Sequence, residues 1–282
     1  MTPGGLRRAC LVAVLALLLQ GGLAADNAVG LTPPQGWRSW NAFSWVVTQQ
    51  EMVNMMHRMT ERKRLVDGVP TSLLDLGYNY IGLDDGYQAC GQGVNGSFYT
   101  SDGDPVINTT KFPNLAEMVA TAHGMGLKAG WYLNNCICNP FKPPSEVSPE
   151  FATQVLRGTV RALREASFDA VKLDSCGPNM NATAWYDEIN RTGADPVLID
   201  LCHTGHDGPG SSVCRGTAMP SECPYNMFTS AQMDIRPTFE SILTHLNSTL
   251  PFMGDSSLSR PGAWANPVRA ARRLRLPAAG TW

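Results

Sequence analysis

The sequence predicts an α/β protein with a parallel sheet, and it favours a (β/α) barrel over a doubly wound sheet. Three observations carry that expectation. Strand-like and helix-like stretches alternate from about residue 31 to 255, polar residues recur just after the strand-like runs, and the 282-residue length accommodates a barrel of about 250 residues. With 43% hydrophobic and 16% charged residues the composition is ordinary for a globular chain, which excludes collagen-like, disordered and coiled-coil proteins.

Residues 78–83 form a short β-prone run that ends in Asp84-Asp85. Residues 115–125 carry apolar side chains at helical spacing and close at Gly126, after which 127–133 is the next apolar run. Residues 151–166 read as a helix, with Phe151, Val155, Val160 and Leu163 available for one face. The strand predicted over 170–173 ends at Asp174. A further helix includes 186–189, a strand-like run covers 196–201, and a helix over 239–246 precedes an apolar run at 250–253. Right-handed crossovers between such strands give a barrel or a doubly wound sheet.

Where the polar residues fall separates the two. Asp84, Asp85, Asn134, Asn135, Asp174 and the Cys202-His203 pair each follow a candidate strand. In a barrel those positions converge on one face, where active sites are built. A doubly wound sheet gathers them only near a switch point. Four successive strand ends favour the barrel.

The first 25 residues stand apart from the fold. Arg7 and Arg8 precede an apolar run from 9 to 19, and Gly21-Gly22-Leu23-Ala24-Ala25 offers small residues for cleavage, the pattern of a secretory signal peptide. The apolar run is shorter than the roughly 20 residues a spanning helix needs. The expected organisation is a signal at 1–25, a barrel domain at 26–268 and a basic tail at 269–282. The mature chain is expected to be free of the membrane and either secreted or delivered to a lysosome or vacuole.

Cysteine usage agrees with export. Once Cys10 leaves with the signal, Cys90, Cys136, Cys138, Cys176, Cys202, Cys214 and Cys223 remain for disulfides, and the odd count leaves one over. Cys136-Ile-Cys138 is not a C-x-x-C pair, and no histidines stand at zinc-ligand spacing, so no metal is expected. Sequons at Asn95, Asn108, Asn181, Asn190 and Asn247 suit a glycoprotein. A net charge of −2 gives no field for nucleic acid. Glycine-rich phosphate fingerprints and a G-x-S-x-G elbow are both missing from the sequence.

Aspartates at strand ends suggest carboxylate chemistry. A retaining glycosidase needs two carboxyl groups about 5–5.5 Å apart, one as nucleophile and one as acid/base. Lys172 and Asp174 are two apart on one predicted strand, so their side chains point the same way. A lysine beside a carboxylate favours its ionised form, as a nucleophile requires. The same pattern also arises from a structural ion pair at a barrel mouth, and Asp84-Asp85 from an Asx turn closing a strand.

Four ordered motifs then point to a family. Leu31-Thr-Pro-Pro-Gln-Gly-Trp-Arg-Ser-Trp-Asn-Ala-Phe43 resembles the opening motif of the α-galactosidases (melibiases, glycoside hydrolase family 27). Gly77-Tyr-Asn-Tyr-Ile-Gly-Leu-Asp-Asp-Gly-Tyr87 is similar to that family's D-D-x-W signature, with Tyr87 where tryptophan is usual. Gly126-Leu-Lys-Ala-Gly-Trp-Tyr132 matches the next strand, and Val171-Lys-Leu-Asp-Ser-Cys176 resembles the nucleophile motif. The resemblance covers about residues 31–267.

The resemblance implies a (β/α)8 TIM barrel, a small C-terminal β domain, and hydrolysis of terminal α-galactosides with retention, without metal or organic cofactor. It makes Asp174 the nucleophile and Asp234, in Gln-Met-Asp-Ile235, the acid/base. It makes Trp40, Asp84, Asp85, Tyr132 and Lys172 the residues that hold the sugar, and it bridges Cys176 back to the Cys136/Cys138 strand end. The expected partner is an oligosaccharide or small α-galactoside; oligomeric state is left open.

Three departures modify that expectation. Cys202-His203-Thr204 stands where the family carries Cys-Glu-Trp, so His203 falls at the position that reads the substituent at sugar carbon 2. An α-N-acetylgalactosaminidase or related pyranosidase is the neighbouring reading. No arginine lies in residues 228–233, ahead of Asp234. Arg260-Pro-Gly-Ala-Trp-Ala-Asn-Pro267 resembles the seventh-strand motif, but Val268 and Arg269 replace Asp-Met and the match ends. The barrel is therefore expected to be incomplete at its C-terminal end, in a truncated or frame-shifted and potentially inactive family member.

Overall fold

Seven short strands pair in parallel to build the sheet of the computed structural model, which describes residues 27–133, 138, 148–174, 181–191, 193, 195–202, 224–229, 234–236, 238–250 and 261–265. The chain runs β1 (Gly36–Arg38), α1 (Trp40–Phe43), α2 (Gln49–Thr60), β2 (Arg64–Val66), β3 (Val69–Thr71), β4 (Tyr80–Gly82), α3 (Leu115–Gly124), β5 (Lys128–Leu133) and α4 (Pro149–Glu165). It continues with β6 (Ala170–Asp174), α5 (Ala182–Asn190), β7 (Leu198–Cys202), β8 (Met227–Phe228), α6 (Phe239–Thr249) and β9 (Trp264–Ala265). The proposed signal peptide, the basic tail, Asn134, Asn135, Cys136, Cys176, His203, Cys214, Cys223 and Val268 lie outside the described residues.

The sheet order is β1-β4-β5-β6-β7-β8-β9, every strand beside its neighbour in sequence, with β2-β3 as a separate antiparallel hairpin. A doubly wound sheet reverses direction at its switch point; this one does not. It is also curled. Four strand steps separate β1 from β7, about 19 Å across a flat sheet, yet the Arg38 guanidinium lies 3.8 Å from Asp200. At the other end Gly262, just ahead of β9, donates to the carbonyl of Gly30, ahead of β1, at 2.8 Å. The described chain is thus an incomplete (β/α)8 barrel, as expected.

Capping explains where the helices begin. Thr48 and Glu51 form a reciprocal capping box on α2, Asn114 caps α3, Ser148 with Pro149 at the first turn opens α4, and Asn181 caps α5. The longer helices α2 and α4 turn an apolar stripe inward, with Met52, Met56 and Met59 on α2 and Val155, Val160 and Leu163 on α4 buried, whereas α6 leaves Phe239, Leu243 and Leu246 exposed. Alternation along the strands sorts the rest. Trp131, Leu133, Val171, Leu173, Ile199 and Leu201 face the helices and form the main core. Between them, Gly82, Gly130, Tyr132, Lys172, Asp174, Asp200 and Cys202 take the opposite face in three successive layers, Gly82 beside Gly130, Tyr132 with Lys172 and Asp200, and Asp174 beside Cys202.

The strand over 78–83 contracts to three residues, and of the 250–253 run only Leu250 is described, at the end of α6. Cys90 and Cys138 form a disulfide, and Cys202 is a buried free thiol. Cys138 is therefore not available to Cys176.

Candidate active site

The site grows from the ends of three central strands. Lys172 and Asp174, two apart on β6, both point into the barrel mouth, as the strand period requires. The Lys172 ammonium lies 2.9 Å from Asp84 and 3.7 Å from Asp174, and 5.0 Å from the centre of the Tyr132 ring. The closer carboxylate is thus Asp84, not the strand-mate that sequence spacing picked out. Tyr132, from β5, donates its hydroxyl to Asp174 at 3.1 Å, and Tyr87 donates to the Tyr132 carbonyl at 3.0 Å. Tyr87 therefore braces the strand behind the site.

The Asp84-Asp85 turn is held by its own backbone. The amide of Asp84 donates to Ser39, and Asp84 accepts from the amide of Asp85. Asp85 accepts from Gly86 at 3.0 Å and from the Gln88 amide at 2.5 Å. The local Asx geometry and the ion pair are both present, so the two sequence readings of Asp84-Asp85 are not exclusive. Trp40, on α1, donates its indole to Asp234 at 2.7 Å, which fixes that exposed carboxylate relative to β1.

Electrostatics sets the protonation states. Burial alone raises the Asp84 carboxyl, but Lys172 and Arg38 more than reverse this and hold it below its ordinary value. Burial, reinforced by Asp174, Asp85 and Asp84, pushes the Tyr132 phenol well above its ordinary value. Tyr132 therefore stays a donor at any physiological pH.

Sequence reasoning missed two charged residues here. Arg38 reaches Asp84 and Asp200 at 3.8 Å each and donates to the Leu83 carbonyl at 3.4 Å. Gly82 and Gly130 leave the room it fills: a Cβ on Gly82 would meet the guanidinium at 2.9 Å. Asp200 pairs in register with Lys172. Its signal was visible, a lone acid inside an apolar run, Leu198-Ile-Asp-Leu-Cys202, placed as Lys172 is in its own strand. A cavity of about 370 Å³ descends past Trp40, Asp84, Lys172, Asp200, Asp234 and the buried His245 of α6. Asp85, Tyr132 and Asp174 do not line it; Lys172 links both groups. His203 and residues 230–233 ahead of Asp234 lie outside the described residues, and among those described no cluster could hold a metal ion.

A parallel barrel with carboxylates, a lysine and aromatics at its strand ends can carry carboxylate-based acid/base chemistry. Comparison with known proteins shows what the chain is similar to. The chain is 28% identical to a probable α-galactosidase of Dictyostelium discoideum over 268 residues, 92% of this chain and 59% of that protein. It is 28% identical to the α-galactosidase of Lachancea cidri over 267 residues, 84% of this chain and 50% of that one. Among solved structures, α-galactosidase I from Mortierella vinacea superposes with a TM-score of 0.60 at 20% identity, over 86% of this chain and 60% of that one. A family 27 β-L-arabinopyranosidase from Geobacillus stearothermophilus gives 0.59 at 17% identity, over 83% and 60%. No protein-family model matches. The chain is thus similar to α-galactosidases and shares its fold with enzymes of glycoside hydrolase family 27, and it spans between half and three-fifths of the length of these curated relatives.

Proposed function

We propose that this site removes terminal α-linked galactose from oligosaccharides by a retaining double displacement. The observation that carries the reading is the buried group at the ends of β4–β6, where Asp174 accepts from Tyr132 and shares Lys172 with Asp84. Asp174 attacks the anomeric carbon while the bond to the leaving oxygen breaks. Asp234, oriented by the Trp40 indole, gives its proton to that oxygen. Asp234 then takes a proton from water as the water displaces Asp174, restoring both carboxyl groups. Asp84, Asp85 and Lys172 accept from and donate to ring hydroxyls, and the half-buried Trp40 offers an apolar face to the sugar. Protonated Tyr132 stabilises the Asp174 carboxylate when it leaves the glycosyl-enzyme. Export to an oxidising compartment, secreted or lysosomal, accords with the Cys90–Cys138 disulfide.

The likeness to a β-L-arabinopyranosidase supports a second reading, a related pyranoside substrate selected at His203. The test is hydrolysis of p-nitrophenyl α-galactoside, its N-acetylgalactosaminide counterpart and β-L-arabinopyranoside by the chain and by Asp174→Asn. The expected result is α-galactoside turnover that Asp174→Asn lowers on the order of 10³-fold or more. Retention predicts α-galactose as the first product anomer by NMR. The absence of any Asp174-dependent hydrolysis would overturn the reading and mark the chain as a non-catalytic family member.

A further inference from the structure

A second, more open cavity of about 790 Å³ lies where the chain leaves β4. Its wall is the segment 86–92, closed by residues 106–111 and by Trp45. That volume lies within the roughly 300–1,000 Å³ of small-molecule sites. Trp45 is 57% exposed, an unusual state for a large aromatic, and it stands among the amides and hydroxyls of Gln88, Gln92, Asn108 and Thr110. No carboxylate lines the cavity among the described residues, and its one cation is engaged: Lys111 donates to the carbonyls of Trp45 at 2.7 Å and Gly86 at 3.3 Å. The chemistry therefore suits a neutral ligand with many hydroxyls and one apolar face, not an anion or a cation.

The cavity is also built. Gly86 has φ +117°, and a Cβ there would stand 2.7 Å from the Trp45 carbonyl oxygen, so only glycine lets the Trp45 backbone close on this loop. The Cys90–Cys138 disulfide ties the same wall to the chain beyond β5. Gln88 joins the two sites, since it lines the cavity and its amide donates to Asp85.

We infer that this cleft is an accessory site for a neutral sugar unit of an oligosaccharide, with Trp45 as its stacking surface. The inference rests on the carbohydrate reading above, and its test separates the two. Asp174→Asn protein, which leaves the ligand intact, is labelled with 5-fluorotryptophan and titrated with raffinose. Trp45→Phe and Trp40→Phe assign the two fluorine signals. Saturable movement of the Trp45 signal is expected, and Gln92→Ala raises the half-saturating concentration about fivefold, the worth of one hydrogen bond. A moving Trp40 signal beside a fixed Trp45 signal overturns the cleft alone. The reverse leaves the cleft standing while the galactosidase reading falls, and two fixed signals overturn both. An unchanged titration in Gln92→Ala, or a glycan found on Asn108 by mass spectrometry of the secreted chain, also overturns the cleft.

Discussion

Asp84 illustrates how single residues decide the chemistry here. It is fully buried, which on its own favours the neutral acid, yet Lys172 at 2.9 Å and Arg38 at 3.8 Å keep it ionised. Its folded value lies below the roughly 3.9 of an unfolded aspartate. The stability it contributes is therefore complete above that value and is lost as pH falls through the lowered one. Lys172→Met removes the nearer cation, raises the folded value, and should move the acid-unfolding midpoint, followed by circular dichroism, to higher pH. An unmoved midpoint would show that Arg38 alone sets the charge. Arg38→Met leaves Asp84 and Asp200 without their shared cation in a layer otherwise made small by Gly82 and Gly130, a loss of about 3 kcal/mol by urea unfolding. A loss below about 0.5 kcal/mol, the scale of a surface change, would mean the guanidinium is solvated and idle. The sequence exposed the strand-end carboxylates because aspartate after an apolar run is conspicuous. Arg38 was hidden, because whether a side chain inside G-W-R-S-W faces the interior depends on a register that only pairing with β4 defines.

At the scale of elements, helices α3 to α6 were legible, while α1, α2 and the shortest strands went unread. The apolar spacing of α4 survives intact, and Val155, Val160 and Leu163 are buried as their periodicity demands. Strands of two or three residues, β1, β8 and β9, are too short to show alternation. The β2-β3 hairpin is different: Asp67-Gly68 is a strong two-residue turn signal, and both residues have positive φ, so sequence reading could have found it. One helical glycine has a packing reason that no pattern reveals. Gly158 lies in α4, and a Cβ there would stand 2.3 Å from the Gly103 carbonyl oxygen. Gly158→Ala gains about 1 kcal/mol of helix propensity. Against that, backbone cannot yield as a flexible side chain would, and overpacking costs about 1–3 kcal/mol. With a contact this short against backbone the clash should win, for a net loss of up to about 2 kcal/mol in urea unfolding. A stabilised variant would show that α4 can slide away from the 98–106 loop without cost.

For the whole molecule, one buried side chain holds distant parts of the barrel together. Asn226, ahead of β8, donates to Asn27 at 2.9 Å, to the Val29 carbonyl at 3.2 Å and to the Gly262 carbonyl at 3.0 Å, and it accepts from the Ile199 amide at 2.9 Å. It thereby joins the segment before β1 to β7 and to the approach to β9, which are far apart in sequence and meet only because the sheet curls. Trp264 adds an indole donor to the Gly30 carbonyl at 2.6 Å. Nothing in the sequence singles out Asn226, because its value lies in four partners drawn from three regions. Asn226→Asp keeps the shape but replaces a donor with a charge facing three oxygens. The expected cost is about 3 kcal/mol or more, since buried acceptors are left without a donor and a carboxylate without a cation. Hydrogen exchange should then accelerate at residues 27–30 and 261–265 before it does so in β5 and β6, whose pairing does not depend on this contact. Uniform acceleration across all strands would mean instead that the curl belongs to the sheet as a whole, with Asn226 merely recording it.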